Sequence, residues 1–196
     1  MEHYYSETQK SELIIKKIIQ NINGREFEFC TSSGVFSKDN IDAGTLLLAE
    51  KMIIGKNSKV LDVGCGIGVL GIAAAKFFDA KIAMSDINKR AVMLVKKNLE
   101  LNNAKAEIFQ GNLYEKIKDD DFDVILSNPP QNAGKELCFK LIEESKNHLK
   151  AGGNLQLVVR HNKGGKTLSK KMEEVFGNVK VIAKKAGYWV YVSVKE

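Results

Sequence analysis

Over residues 6–22 the apolar positions Leu13, Ile14, Ile18, Ile19 and Ile22 fall on one face of a 3.6-residue period, which predicts a helix laid on the core. Phe27, Phe29 and the pair Val35-Phe36 suggest short extended pieces, and Asp42 ahead of Thr45-Leu46-Leu47-Leu48 is placed to cap a second helix. From Lys59 the pattern becomes regular, with apolar runs alternating with amphipathic windows, as in βαβ units of a parallel sheet. Strands are predicted over 60–63, 81–85, 106–110, 122–127 and 154–160, and helices over 69–78, 89–101, 135–149 and 167–176. The run 179–182, the tight Ala186-Gly187 and the alternating 188–194 predict a closing hairpin that adds an antiparallel strand. The expected fold class is therefore α/β, with helices on both faces of the sheet.

Composition narrows the class. A chain of 196 residues with 44% hydrophobic and 28% charged positions suits one soluble domain over 1–196, with 1–55 forming an amino-terminal helix and small extended elements and 56–196 a catalytic core. No apolar run is long enough to span a bilayer, and Met1 to Ser6 has no basic-then-apolar signal pattern, so a cytoplasmic location is expected. Cys30, Cys65 and Cys138 are odd in number and contain no CxxC pair, which signals neither a disulfide framework nor a zinc site. A net charge of +6 permits a polyanionic partner without requiring one.

The first chemistry-bearing motif is the strand Val60-Leu61-Asp62-Val63 running into Gly64-Cys65-Gly66-Ile67-Gly68 and then a helix. Glycines let the backbone approach a ligand, and the helix N-terminus offers free amides to an anionic group. Asp86 ends the next strand, where a carboxylate can accept both ribose hydroxyls. The run Gly66-Ile67-Gly68-Val69-Leu70-Gly71 also satisfies the dinucleotide pattern G-x-G-x-x-G with Asp86 at the expected distance, so the pattern alone leaves two cofactors open. Asp62 would stand close to a pyrophosphate but would favour the sulfonium and ammonium of S-adenosylmethionine, whose carboxylate can face the helix amides. Asn112, in Gly111-Asn112-Leu113-Tyr114, is placed either to pair with an adenine edge or simply to make the turn.

The strand 122–127 ends in Ser127-Asn128-Pro129-Pro130 at the carboxyl edge, where open α/β sheets bind ligands. An exocyclic amine conjugated to a base is a weak nucleophile because its lone pair is delocalised into the ring. The Asn128 amide oxygen and the Pro129 carbonyl can accept its two hydrogens and direct the lone pair at a methyl group, with Pro129 and Pro130 stiffening the acceptors. No strong general base is required. After the strand ending at Arg160 come His161, Lys163, Lys166, Lys170 and Lys171, a basic rim suited to phosphate. The run Asp119-Asp120-Asp121 reads as a solvated turn, and no metal is expected.

Together these elements resemble class I S-adenosylmethionine-dependent methyltransferases, and Ser127-Asn128-Pro129-Pro130 resembles the signature of their amino-methylating branch. The segment 34–48 is similar to the pre-domain motif of the "methyltransferase small domain" family, whose best-known members methylate guanine N2 in small-subunit ribosomal RNA. The similarity spans nearly the whole chain, which also resembles compact archaeal members that consist of this domain alone. The resemblance implies a seven-stranded Rossmann-like sheet in the order 3-2-1-4-5-7-6 with strand 7 antiparallel. It implies S-adenosyl-L-methionine as cofactor, held by Phe36, Ser37, Asp62, Gly64, Cys65, Gly66, Gly68, Asp86, Ile87, Asn112, Leu113 and Asn128. Catalysis would rest on Asn128, Pro129 and Pro130, and a ribosomal RNA substrate would meet Gln131, Arg160, His161, Lys163 and Lys166.

Two departures stand out. Gln131 occupies the position where the family often has an aromatic that stacks on the target base, and the extra amino-terminal domain of larger relatives has no counterpart here. A protein-glutamine methyltransferase shares the Asn-Pro-Pro logic, but it normally carries that aromatic and a helical amino-terminal domain. A cytosine C5 methyltransferase would need a cysteine nucleophile at the substrate strand end, where there is none. A dinucleotide-dependent oxidoreductase and a non-catalytic RNA-binding module complete the alternatives.

Overall fold

The computed structural model describes residues 5–9, 11–36 and 40–196. Strand β1 (Ile15–Ile22) pairs antiparallel with β2 (Arg25–Ser32) in a separate two-stranded sheet, with Ile22 opposite Arg25 and Ile15 opposite Ser32. This overturns the helix expected over 6–22. The turn residues Asn23 and Gly24 both have positive φ (48° and 81°), the combination that an Asn-Gly two-residue hairpin requires. The isoleucines satisfy a helical face by spacing alone, but a β-branched run leading into Asn-Gly folds back as a strand. Ile18 and Ile22 turn inward, while Ile15 and Ile19 are exposed.

Helix α1 (Ala43–Lys51) starts at Asp42, whose carboxylate accepts from the amides of Gly44 (2.8 Å) and Thr45 (3.2 Å). Five parallel strands follow, β3 (Lys59–Val63), β4 (Lys81–Asp86), β5 (Glu107–Gln110), β6 (Phe122–Ser127) and β7 (Leu149–Arg160). They alternate with α2 (Val69–Phe78), α3 (Lys89–Leu101), α4 (Lys135–His148) and α5 (Lys166–Phe176). The hairpin β8 (Lys180–Lys185) and β9 (Tyr188–Val194) closes the sheet, with β9 antiparallel to both β7 and β8. The spatial order β5-β4-β3-β6-β7-β9-β8 is the expected 3-2-1-4-5-7-6 arrangement. The expected boundaries hold to within a residue or two except at β8, which runs to Lys185 instead of 182, and at β7, which begins at Leu149 instead of 154, with a register shift at 122–124 where it pairs with β6.

One face of the sheet packs under α1, α2, α3 and β2, and the other under α4 and α5. Asn98, fully buried on α3, joins the hairpin to this frame. Its amide oxygen accepts from Cys30 N (2.6 Å), and its NH2 donates to the carbonyls of Cys30 (3.0 Å) and Ile67 (2.9 Å). One turn later Asn102 makes the same two-way contact with the backbone of Glu28 (3.1 and 2.7 Å). Side-chain amides on α3 thus substitute for a neighbouring strand along β2, and they tie it to the loop after β3. Neighbouring β3 and β6 mark the point where strand order reverses, and the crevice beyond their carboxyl ends is where such sheets take ligands.

Candidate active site

The loop after β3 takes its shape from Gly64, Gly66 and Gly68, with φ of +68°, +56° and +88°, a region closed to other side chains without strain. The amides of Gly64 and Cys65 donate to the Ser85 carbonyl (2.8 and 3.0 Å). Gly66 N donates to one oxygen of Asp86 (2.8 Å), and Asn88 N donates to the other (2.9 Å). Burial pushes the Asp86 carboxyl up to about 6 against these backbone donors. Asp62, 1% exposed, accepts from Gly71 N (3.0 Å) through one oxygen, while the other has no hydrogen-bond partner among the described residues. Burial, reinforced by the negative charge of Asp86, raises Asp62 to about 7. A cavity of about 340 Å³ is lined by Asp62, Gly64, Cys65, Gly66 and Asn128. Such a site calls for a cationic or hydrogen-donating ligand.

A second, largely apolar cavity of about 670 Å³ runs beside it, lined by Phe36, Asp86, Ile87, Asn112, Leu113 and Asn128 among others. Leu113 holds a positive φ of 50°, unusual for a residue without polar side-chain contacts, and it projects into this cavity. Of the residues expected around the cofactor, Phe36, Asp62, Gly64, Cys65, Gly66, Asp86, Ile87, Asn112, Leu113 and Asn128 line these two cavities. Gly68 instead packs under Ile72 and Val95 at the start of α2, and Ser37 lies outside the described residues. The thiols of Cys30, Cys65 and Cys138 are buried and free of disulfides, and burial pushes Cys65 well above its ordinary value.

Asn128 stands where both cavities meet a third, of about 780 Å³, lined by Asp42, Pro129, Gln131, Arg160, Lys163 and Tyr188. Its NH2 donates to Asp42 (3.1 Å) and to the Thr45 hydroxyl (2.9 Å). The carboxylate is an acceptor only, so the amide is held with its oxygen turned away from Asp42, and that oxygen takes no hydrogen bond among the described residues. The Pro129 carbonyl accepts from Gln131 N (2.8 Å), an inverse γ-turn about Pro130 (φ −73°, ψ 79°) that fixes its direction and leaves its second lone pair. Ser127, fully buried, braces the end of β6 by donating to the Val63 carbonyl (2.7 Å).

Gln131 serves as a clamp. Its carbonyl accepts from Arg160 N (2.9 Å) and its NH2 donates to Lys163 O (2.8 Å), so the Asn-Pro-Pro turn and the loop after β7 move as one. Arg160 and Lys163 reach the cavity wall. His161 does not reach it. Its ring stacks on Trp189 (3.5 Å between centroids) and meets the Tyr191 hydroxyl, with burial and then Lys166 and Lys184 lowering its pKa. Lys166 lies outside the lining, and Lys171 is paired with Glu143 and Glu174. The Asp119–Asp121 turn pairs with Lys59 through Asp119 (2.8 Å) and Asp121.

Residues the motifs did not single out complete the wall. The Tyr188 hydroxyl donates to Asp42 (2.7 Å) and accepts from Arg160 Nε (2.9 Å), while the guanidinium stacks on its ring at 4.7 Å. A Cβ at Gly44 would lie 2.6 Å from that ring, so glycine is needed there for close approach. Asn88 caps α3 and donates to Gly34 O (2.8 Å), and Arg90 binds the carbonyls of Ser11 and Ser33 (both 2.7 Å), anchoring the segment that carries Phe36. No local signal marks these roles, because the partners lie 28 to 146 residues apart.

This strand order, with a glycine loop and buried acid at β3 and Asn-Pro-Pro at β6, defines an S-adenosylmethionine-dependent methyltransferase of the Rossmann-like class. Residues 26–192 match the family described as methyltransferase small domain, and the chain belongs to that family. The cofactor is S-adenosyl-L-methionine, which decides between the two that the glycine pattern left open. The chain is 37% identical over 198 residues to the uncharacterized protein YbxB of Bacillus subtilis, covering 99% of this chain and 98% of that one. It is 35% identical over 179 residues to ribosomal RNA small subunit methyltransferase C of Salmonella choleraesuis, covering 89% of this chain and 51% of the relative. Among solved structures it superposes on the T. thermophilus 16S rRNA N2 guanine methyltransferase RsmC, bound to AdoMet and guanosine, with a TM-score of 0.83, 26% identity and coverage of 95% and 52%. A methyltransferase from Pyrococcus furiosus matches with a TM-score of 0.67 at 26% identity, covering 73% of this chain and 77% of that one. The chain thus spans nearly all of YbxB and about half the length of the ribosomal RNA methyltransferases. Among the described residues, no helix is long and apolar enough to cross a membrane.

Proposed function

We propose that this protein methylates an exocyclic amine of RNA, with guanine N2 of ribosomal RNA as the acceptor and rRNA processing in the cytoplasm as the setting. The observation that carries the reading is the Asn128 amide, held through its NH2 by Asp42 and Thr45 on a residue that lines both the cofactor and the substrate cavities. That oxygen and the Pro129 carbonyl accept the two amine hydrogens and draw the nitrogen toward sp³ geometry. The acceptors are fixed before substrate arrives, which is the form of catalysis that needs no reorganisation at the moment of transfer. When bound, S-adenosyl-L-methionine would supply a sulfonium methyl for the nitrogen lone pair, the C–S pair would return to sulfur, and the surplus amine proton would leave to water. Asp62 and Asp86 would hold its cationic and ribose parts, while Ile87, Leu113 and Asn112, which line the apolar cavity, would receive the adenine. Arg160 and Lys163 meet the RNA substrate from the wall, with Lys166 farther along the basic rim and His161 supporting it through Trp189. Gln131 supports the wall rather than stacking on the base.

The test is transfer of radiolabelled methyl from S-adenosylmethionine to small-subunit ribosomal RNA, naked and in assembled subunits, with release-factor protein as the competing acceptor. Label recovered as N2-methylguanosine is the expected result. Label on a protein glutamine, or on neither acceptor, refutes the proposal.

A further inference from the structure

A chain of hydrogen bonds sets the order of groups along the substrate wall. Asn128 Nδ2 lies 3.1 Å from one oxygen of Asp42, the other Asp42 oxygen 2.7 Å from the Tyr188 hydroxyl, and that hydroxyl 2.9 Å from Arg160 Nε. All four residues line one cavity. Reading outward from the reacting position, the wall presents the Asn128 amide oxygen, then a carboxylate, then a guanidinium: acceptor, acceptor, donor. The guanidinium terminal nitrogens make no hydrogen bond among the described residues.

We infer that Asp42 and Arg160 are specificity-determining residues that read the Watson–Crick edge of the target base and restrict it to guanine, an inference that rests on the proposed amine-methylating function. Guanine presents along that edge the N2 amine, the N1–H and the O6 carbonyl, which are donor, donor and acceptor. Its N2 hydrogen meets Asn128, its N1–H meets the Asp42 oxygen that also takes the Tyr188 hydroxyl, and O6 faces Arg160. Adenine and cytosine place a bare ring nitrogen beside the reacting amine, so a lone pair would face the carboxylate. A glutamine carboxamide places its carbonyl oxygen there and meets the same repulsion. The guanidinium lies over the Tyr188 ring at 4.7 Å, and Gln131 binds the backbone of Arg160, so the donor end of the wall is anchored from two sides.

The test uses small-subunit ribosomal RNA in which the methylated guanine, once located, is replaced through splinted ligation by 2-aminopurine or adenine. 2-Aminopurine keeps the same amine but has a bare N1 and no O6. The wild-type protein is expected to prefer guanine over 2-aminopurine in kcat/KM by on the order of 100-fold, and to leave adenine unlabelled. In Asp42→Asn the side-chain NH2 can face a bare N1, so the preference is expected to shrink to about tenfold or less. A residue acting only by orienting Asn128 would slow both bases alike and leave that ratio unchanged. Asn caps a helix as well as Asp does, so α1 is retained, and the wild-type comparison decides the question even if the variant fails to fold. Equal use of 2-aminopurine, methylation of adenine, or an unchanged ratio in Asp42→Asn overturns the inference while leaving amine methylation standing. Absence of label in any RNA overturns both.

Discussion

The contact between Asn128 and Asp42 can be tested without a substrate. Asn128→Asp replaces a donor with an acceptor 3.1 Å from the Asp42 carboxylate. Two unit charges at that distance repel by about 5 kcal/mol at an effective dielectric near 20, and solvent in the open cavity reduces this to about 2–3 kcal/mol. Such a repulsion corresponds to a rise of about 2 pKa units, so the pair holds one shared proton up to roughly pH 6. Below that pH the proton bridges the two carboxylates and takes the place of the lost amide hydrogen.

The sign follows from proton counting. A carboxyl raised in the folded protein binds more protons folded than unfolded between about pH 4 and pH 6, so stability relative to wild type falls across that window and levels off above it. Thermal unfolding of both proteins from pH 4.5 to 8.5 should show melting temperatures that nearly coincide at the acid end. They should differ by about 5–10 °C at the alkaline end. A gap that stays constant with pH would show that position 128 does not face Asp42, and it would remove the basis for the orientation of the amide.

Three further outcomes are expected. Asn128→Ala removes one fixed acceptor, so kcat should fall by about 10²–10³ while S-adenosylmethionine affinity measured by calorimetry changes little; unimpaired turnover contradicts the mechanism. Asn98→Ala leaves the amide and carbonyl of Cys30 and the carbonyl of Ile67 without their buried partners, and urea unfolding should report a loss of about 3–5 kcal/mol. Burial raises Asp62 to about 7 and Asp86 to about 6, so the ligand-free protein should lose stability as pH rises from about 4 and level off above about 7. A cationic ligand favours the ionised carboxylates, so its affinity should increase over the same range with proton release, which calorimetry in buffers of different ionisation enthalpy detects; proton uptake would contradict it.

The parallel sheet and its ligand end were legible because their signals are local. A strand running into glycines, an acid closing the next strand and Asn-Pro-Pro after a third each fit within a few residues, and the sheet aligns their carboxyl ends. The amino-terminal hairpin was misread because its isoleucines satisfy a helical period. The deciding feature was the Asn23-Gly24 turn, together with the Asn98 and Asn102 amides that only the tertiary structure brings to β2. Asp42 shows the limit of local reading more sharply. As a helix cap it was evident from its neighbours, but the same carboxylate also orients an asparagine 86 residues away and anchors a tyrosine 146 residues away. One acidic side chain joins three elements because the N-terminus of α1, the end of β6 and the start of β9 converge at one rim of the sheet. Replacing Asp42 therefore acts on helix capping, on Asn128 orientation and on the character of the substrate wall together. These effects separate only by which measurement each one moves: melting temperature for the cap, kcat on guanine for Asn128, and the ratio between bases for the wall.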